Sequence, residues 1–174
     1  MSQRRFATIV LITAIAVHVL GVWALPRLIM GRVMDVLGRG AEVNEIFHAP
    51  RSTARHRVVV RPSPDLAYSV CLFDLSQGPL RITAPVGPGY MSVSGFAANT
   101  VNFFVVNDLE VRPAPVDVLL MGPGRASAPP AGVRAIESPS ERGLVLMRRV
   151  IDSEATFPEL DRVRQQARCE SVRQ

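Results

Sequence analysis

The sequence contains no lysine, only two cysteines and only three histidines in 174 residues. All 20 basic residues are therefore arginine, so the net charge of +5 indicates a GC-rich codon bias as readily as a selected basic surface. Charged residues make up 20% and apolar residues 48%, which excludes a disordered tail and is typical of a packed domain with a membrane helix. We expect one domain, because about 50 residues are needed for a membrane segment and linker.

The motifs of common catalytic and nucleotide sites are also missing. Neither Gly-Pro-Gly unit, at Gly87–Gly89 and Gly122–Gly124, is followed by the glycine or lysine of a nucleotide-binding loop, so both are predicted to be turns. The string at 91–95, Met-Ser-Val-Ser-Gly, lacks the first glycine of a serine-hydrolase elbow. His48 and His56 lack zinc-ligand spacing. The sequence therefore predicts no metal and no cofactor, and favours a non-catalytic protein over an enzyme.

A long uncharged segment, Phe6–Leu25, is the strongest feature of the sequence. About twenty helical residues span the hydrocarbon core of a bilayer. The run is longer than the ~7–15 apolar residues of a secretory signal, and no A-x-A cleavage site follows it, so residues 1–27 are predicted to be an uncleaved signal-anchor. His18 within the run is tolerable as a neutral imidazole or contacts another helix or cofactor. Pro26 is predicted to end or kink the helix.

Positive charge does not decide the orientation of this segment. Arg27, Arg32 and Arg39 on one side outnumber Arg4 and Arg5 on the other. An N-terminal, signal-like segment nevertheless favours a C-terminal domain outside the cytoplasm, since long domains translocate despite their charge.

Residues 28–55 are predicted to form an amphipathic helix, Leu28–Phe47, and a linker, Ala49–Ala54. The helix can lie on the membrane, pack beneath the domain or dock onto a partner helix. One stretch near the linker is rich in basic residues, Arg51, Arg55, Arg57 and Arg61 with His48 and His56. Nucleic acid would bind such a strip through its phosphates, but tethering places it beside anionic lipid. The lipid bilayer, and no nucleic acid, is therefore the expected partner.

Residues 56–174 are predicted to form a mainly β domain, an antiparallel sandwich or open barrel. The predicted strands are 56–61, 66–75, 79–84, 90–97, 102–107, 116–121, 133–136 and 143–151. Both faces of 66–75 are expected to be covered. Thr156 and Glu159 have capping-box spacing and open a C-terminal helix that closes the domain, with Phe157, Leu160, Val163 and Ala167 on its apolar side.

Several polar side chains interrupt the apolar strand region: Asp65, Tyr68, Asp74, Asn99, Asn102 and Asp108. Such groups can line a pocket for a polar ligand. Asp65 follows a proline and Asp108 follows an asparagine, so both are also expected as turn residues that bond their own backbone.

The two cysteines, Cys71 and Cys169, permit one disulfide in an oxidising compartment. Because Cys169 lies at the end of the predicted C-terminal helix and Cys71 on a predicted central strand, the bond would join that helix to the sheet. The alternative is that Cys71 is a small buried hydrophobe and Cys169 a surface thiol.

Two stretches, Arg61–Ser69 and Cys71–Pro79, resemble a bacterial family known as domain of unknown function 1254. The family pattern is Arg-Pro-Asn-x-Asp-Thr-Leu-Tyr-Ser followed by Asp-Leu-Ser-x-Gly-Pro. The matching residues are Asp65, Tyr68, Ser69, Asp74, Leu75, Ser76, Gly78 and Pro79. Ser63, Leu66 and Ala67 depart from the pattern. The resemblance extends over roughly Arg51–Ala167.

The resemblance implies a jelly-roll-like β-sandwich, and longer relatives fuse it to a second domain, of unknown function 1214. It implies no agreed activity. We therefore expect a single-pass protein of the bacterial inner membrane with a periplasmic domain, which assembles with a separate envelope protein carrying the complementary domain. The alternative is an enzyme or small-ligand binder that uses the regions of Asp65 and Tyr68 and of Asn99 and Asn102.

Overall fold

The computed structural model describes residues 2–53, 62–125 and 129–172. Its helices are α1 (Gln3–Leu37), α2 (Asp108–Val111) and α3 (Phe157–Arg164). Its strands are β1 (Ile46–His48), β2 (Leu66–Asp74), β3 (Leu80–Ala84), β4 (Met91–Ala97), β5 (Asn102–Asn107), β6 (Val116–Met121), β7 (Arg134–Glu137), β8 (Arg142–Val150) and β9 (Arg168–Ser171). The predicted strand 56–61, with Arg55, His56, Arg57 and Arg61, lies outside the described residues.

The strands form two sheets that pack face to face. One has the order β1-β2-β8-β4-β5 and is antiparallel throughout. The other has the order β7-β6-β3-β9, in which only the β6–β7 pair is parallel. The predicted sandwich with its N-terminal and C-terminal helices is therefore confirmed.

Strand β2 shows how the sequence covers both faces of the first sheet. Because side chains alternate along a strand, Cys71 and Phe73 point into the core between the sheets, where both are buried. Val70 and Leu72 point to the opposite face and pack beneath α1. Two covered faces explain the nearly continuous apolar run, as predicted.

The helix does not end at Pro26, one of the two predicted outcomes, and the predicted helix Leu28–Phe47 is shorter than expected. Its packing beneath the domain is one of the three predicted arrangements. Helix α1 runs through Pro26 and ends at Leu37, before the C-cap Gly38. A proline inside a helix lacks the N–H that would bond the carbonyl four residues earlier, here that of Val22. The Arg27 guanidinium donates to the next carbonyl, that of Trp23, at 2.5 Å. The last two residues of the predicted helix, Ile46 and Phe47, instead form β1 with His48, because the edge of β2 offers them hydrogen bonds.

The disulfide joins the two sheets. Cys71 on β2 and Cys169 are bonded across a sequence separation of 98 residues. Cys169 lies on β9 instead of on the C-terminal helix, so the expected link between helix and sheet is wrong in that respect. Helix α3 starts where predicted, but Thr156 makes no side-chain cap and instead donates to the Ser153 carbonyl.

Candidate functional site

The predicted ligand residues lie at opposite ends of the first sheet. Asp65 and Tyr68 are at the start of β2, where Leu66 pairs with Val150. Asn99 and Asn102 flank the turn from β4 to β5, at the other end of β8. The two pairs therefore do not converge on one pocket.

At the first end, Asp65 and Tyr68 hold a turn. The Tyr68 hydroxyl accepts a hydrogen bond from the Ser63 N–H at 2.9 Å. The Asp65 side chain is exposed, while its N–H donates to the Ser63 hydroxyl and its carbonyl accepts from the Ile151 N–H. Ser63, which departs from the family pattern, therefore bonds both Tyr68 and Asp65 at this turn.

At the other end, both asparagines bond nearby backbone. The Asn99 side-chain oxygen accepts from the Val101 N–H at 3.3 Å. The Asn102 amide donates to the carbonyls of Gly95 and Phe104, at 3.2 and 3.3 Å. These bonds satisfy the backbone where β4 turns into β5.

Asp74, the aspartate of the second matching stretch, also orders a turn. Its carboxylate accepts from the Ser76 N–H at 3.0 Å and from the Arg142 guanidinium at 2.8 Å. The hydrogen bond with Ser76 and then the Arg142 guanidinium hold the pKa of Asp74 below its usual range. Gly78, four residues on, has φ of +143°, which favours glycine. The matching residues at this turn are therefore explained by backbone geometry.

Asp108 is the most buried of the six polar candidates, with 1% of its surface exposed. It begins the four-residue helix α2 beneath the capping box of Asn107 and Glu110, and its carboxylate also bonds its own backbone N–H, as expected. Its carboxylate accepts from the Met91 N–H and the Arg112 guanidinium. Burial alone would raise the pKa of Asp108, but the hydrogen bonds with Arg112 and Met91 keep it below its usual value.

Sequence reasoning missed a small cavity between the sheets, which we call the arginine cavity. It has a volume of about 10 Å³, and its lining includes Ser69, Met91, Ser92, Arg149, Arg164 and Ala167. None of the six polar candidates lines it. A space of this size admits about one water molecule. The signal in the sequence was the pair Arg148 and Arg149 within an apolar strand, since alternation sends one of them inward.

Three arginines line the cavity, and they are held differently. Arg148 on β8 donates to the Ser94 hydroxyl at 3.3 Å. Arg164 on α3 pairs with Asp161 and donates to the carbonyls of Ala49 and Tyr68, at 3.0 and 2.7 Å. Arg149 on β8 is 3% exposed and donates through Nη2 to the Pro85 carbonyl, but its Nη1 has no partner among the described residues. Burial, together with the charge of Arg164, lowers the pKa of Arg149 to about 10, although Asp108 opposes this.

A serine and a histidine meet beside the cavity without room for a substrate. His48 Nδ1 lies 2.8 Å from the Ser69 hydroxyl, but Ser69 is only 1% exposed. Burial, followed by the charge of Arg164, lowers the pKa of His48. Among the described residues, no group of three or more His, Cys, Asp or Glu side chains is placed to hold a metal ion.

Exposed apolar side chains cluster in two places, along α1 and beside β5. Along α1, large apolar side chains from Phe6 to Leu25 are exposed, and the helix is long and apolar enough to cross a membrane, a property that signal sequences share. On the sandwich, the free edge beside β5 exposes Val101, Val105 and Leu109.

These features define a two-sheet β-sandwich with an apolar N-terminal helix. The chain belongs to the family "Protein of unknown function (DUF1254)", whose profile matches residues 43–171. The resemblance drawn from the two sequence stretches is thereby confirmed. No curated protein matches the chain.

Two solved structures are similar in fold. The VPA0106 protein of Vibrio parahaemolyticus is 9% identical with a TM-score of 0.69, over 87% of this chain and 36% of that one. An uncharacterized protein from Burkholderia cenocepacia is 16% identical with a TM-score of 0.53, over 82% of this chain and 40% of that one. The chain thus spans less than half the length of either structure.

Proposed function

We propose that this chain is a non-catalytic module, tethered to the bacterial inner membrane, that assembles with another envelope protein. The observation that carries the proposal is the single helix α1, which is exposed and apolar at its start and packed on the sandwich at its end. At 1.5 Å per residue, its 35 residues extend about 50 Å, longer than the roughly 30 Å hydrocarbon core.

The end of α1 fixes the sandwich close to the bilayer. Met30 is buried against Val70, Leu72 and Leu144 on the outer face of the first sheet. This contact begins only a few residues after Leu25, so little chain separates the apolar segment from the domain. We infer that the sandwich sits at the membrane surface with a defined face toward its partner.

The edge strand β5 is the proposed site of assembly. Its six residues, Asn-Phe-Phe-Val-Val-Asn, include no charge, and its outer edge has no neighbouring strand within the described residues. An uncharged, apolar edge is a template for pairing with another chain. By contrast, the edge strand β7 of the second sheet carries Arg134 and Glu137, which discourage such pairing.

The proposed partner is a separate envelope protein that carries the complementary domain of unknown function 1214. The similar solved chains are more than twice as long as their matched part, which supports the idea that this sandwich packs against further structure. A strand added to β5 would extend the first sheet, as in other strand-addition interfaces.

The proposed topology places the sandwich in the periplasm. The disulfide between Cys71 and Cys169 supports this placement, because disulfides persist in oxidising compartments. A reporter fused after Gln174 should be active only outside the cytoplasm. A signal confined to the cytoplasm would contradict the topology.

Photocrosslinking in intact cells tests the assembly proposal. A photoreactive residue in place of Val105 on β5 should form an adduct with one separate protein. The control is the same residue in place of Ala135 on β7, which is also an exposed edge position. An adduct with a second copy of this chain, equal adducts at both positions or none at either would contradict the proposed partner.

A further inference from the structure

The arginine cavity contains a positive charge that no aspartate or glutamate side chain of the described residues neutralises directly. All 15 aspartate and glutamate residues lie in the described ranges, and Arg149 forms an ion pair with none of them. Arg164, which lines the same cavity, is paired with Asp161. The charge of Asp108 also acts on Arg149, but the Asp108 carboxylate is bonded to Arg112. The cavity lining therefore includes three arginines, Arg148, Arg149 and Arg164, of which only Arg164 is paired with a carboxylate among the described residues.

Arg149 lacks a hydrogen-bond acceptor as well as a paired carboxylate. Its Nη1 is fully buried and has no acceptor within the described residues. A buried guanidinium group without an acceptor is costly, and natural structures provide a partner for nearly all such groups. An occupant of the cavity would supply the missing acceptor.

We propose that the arginine cavity binds one small inorganic anion of the halide class, held between Arg149 and Arg164. Ser69 and Ser92, which line the cavity and are 1% and 4% exposed, add hydroxyl groups to its wall, and that of Ser69 also bonds His48. A water molecule would satisfy Nη1 but would leave the charge uncompensated. With a pKa of about 10, Arg149 remains charged at neutral pH.

The size of the cavity selects the occupant. A volume of about 10 Å³ is room for one water-sized particle, so a monatomic anion is the class that fits. Phosphate, sulfate and carboxylate groups need more space than this. The site therefore acts within the sandwich, joining β8 of the first sheet to α3, and is independent of the proposed assembly at β5.

Thermal unfolding of the full chain in a nonionic detergent tests the site. Sodium chloride or bromide is compared with sodium gluconate at equal ionic strength, since gluconate is too large to enter. If the anion is present at ten times its Kd, we expect Tm to be about 3–8 °C higher in the halides. Equal Tm values in chloride and gluconate would overturn the proposal and assign the cavity to water.

Two variants link the effect to the cavity. Arg149→Met removes the cation at similar length and should reduce the chloride-dependent difference in Tm to below about 1 °C. Arg134→Met removes an exposed arginine on β7 and should keep the full difference. A halide effect that survives Arg149→Met would overturn the assignment.

A measurement on the unaltered protein covers the case in which Arg149→Met does not fold. Chlorine-35 NMR of the full chain in detergent should show line broadening that excess bromide reduces, because bromide competes for the same cavity. Sodium gluconate at the same concentration should not reduce it. Absence of broadening, or equal loss with gluconate, would overturn the proposal.

Discussion

The two parts of α1 differ in their surroundings although they form one helix. From Phe6 to Leu25 the large apolar side chains are exposed all round the helix, with Ile12 61% exposed. Between Leu28 and Leu37 one side packs on the sandwich, with Met30 5% exposed, while charged residues such as Arg32 face outward. Uniform apolar exposure indicates a non-aqueous environment, whereas a one-sided pattern indicates contact with protein.

Deleting residues 1–27 gives the largest expected effect on this comparison. The exposed part of α1 is lost, while the packed part remains on the sandwich. We expect the truncated protein to move completely from the membrane fraction to the soluble fraction, as measured by fractionation and immunoblotting. If it remained with the membrane, residues 28–37 or the sandwich surface would be the true attachment site.

Breaking the disulfide should destabilise the sandwich against which the end of α1 packs. A bond that closes a loop of 98 residues stabilises by up to about 4–5 kcal/mol in the chain-entropy treatment, so reduction should lower the free energy of unfolding by a similar amount. The bond itself is checked by alkylating unreduced, denatured protein and measuring its mass. No label is expected on Cys71 or Cys169, and two labels would show both thiols free.

Single substitutions in the two parts of α1 sharpen the comparison. Met30→Ala removes buried contacts with Leu72 and Leu144 and should lower the free energy of unfolding of the sandwich by about 2–3 kcal/mol. Ile12→Ala, in the exposed part, should change it by less than about 0.5 kcal/mol. Denaturant unfolding in detergent measures both. Equal effects would mean that the end of α1 is not packed on the sheet.

Acid should affect the sandwich through Asp108, far from the exposed part of α1. Because its folded-state pKa lies below the usual value, its ion pair stabilises the fold above about pH 4, and this contribution is lost as pH falls through the folded pKa. Asp108→Asn should cost about 1–3 kcal/mol at pH 7 and less at pH 3. The unfolding free energies of both proteins between pH 3 and 7 check this, and a constant difference would contradict it.

Local signals in the sequence predicted the strands because each is bounded by turn residues. Strand β5 has the predicted bounds, between Thr100 and the capping Asn107. Strand β1 was missed because its three residues gain their hydrogen bonds only from β2, more than twenty positions away. Likewise, β9 follows α3 so closely that its helical neighbours masked it.

The polar candidates show why the site was harder to predict than the fold. Asp65, Tyr68, Asn99 and Asn102 all interrupt apolar strand segments, but the register of β2, β8 and β4 places the two pairs at opposite ends of the first sheet. Register depends on distant pairing that a single sequence does not display. Arg149 was overlooked because arginine is rarely buried, although strand alternation pointed it inward.

Spin labels placed one at a time along α1 in lipid bilayers test the central claim most directly. Collision accessibility should show oxygen contact and exclusion of a polar nickel reagent at all positions from 6 to 25. From 28 to 37 it should show a helical period, with the lowest accessibility to both reagents at 30, 33, 34 and 37. Nickel access at the centre of the first part, or uniform access along the second, would contradict a helix that both anchors and positions the sandwich.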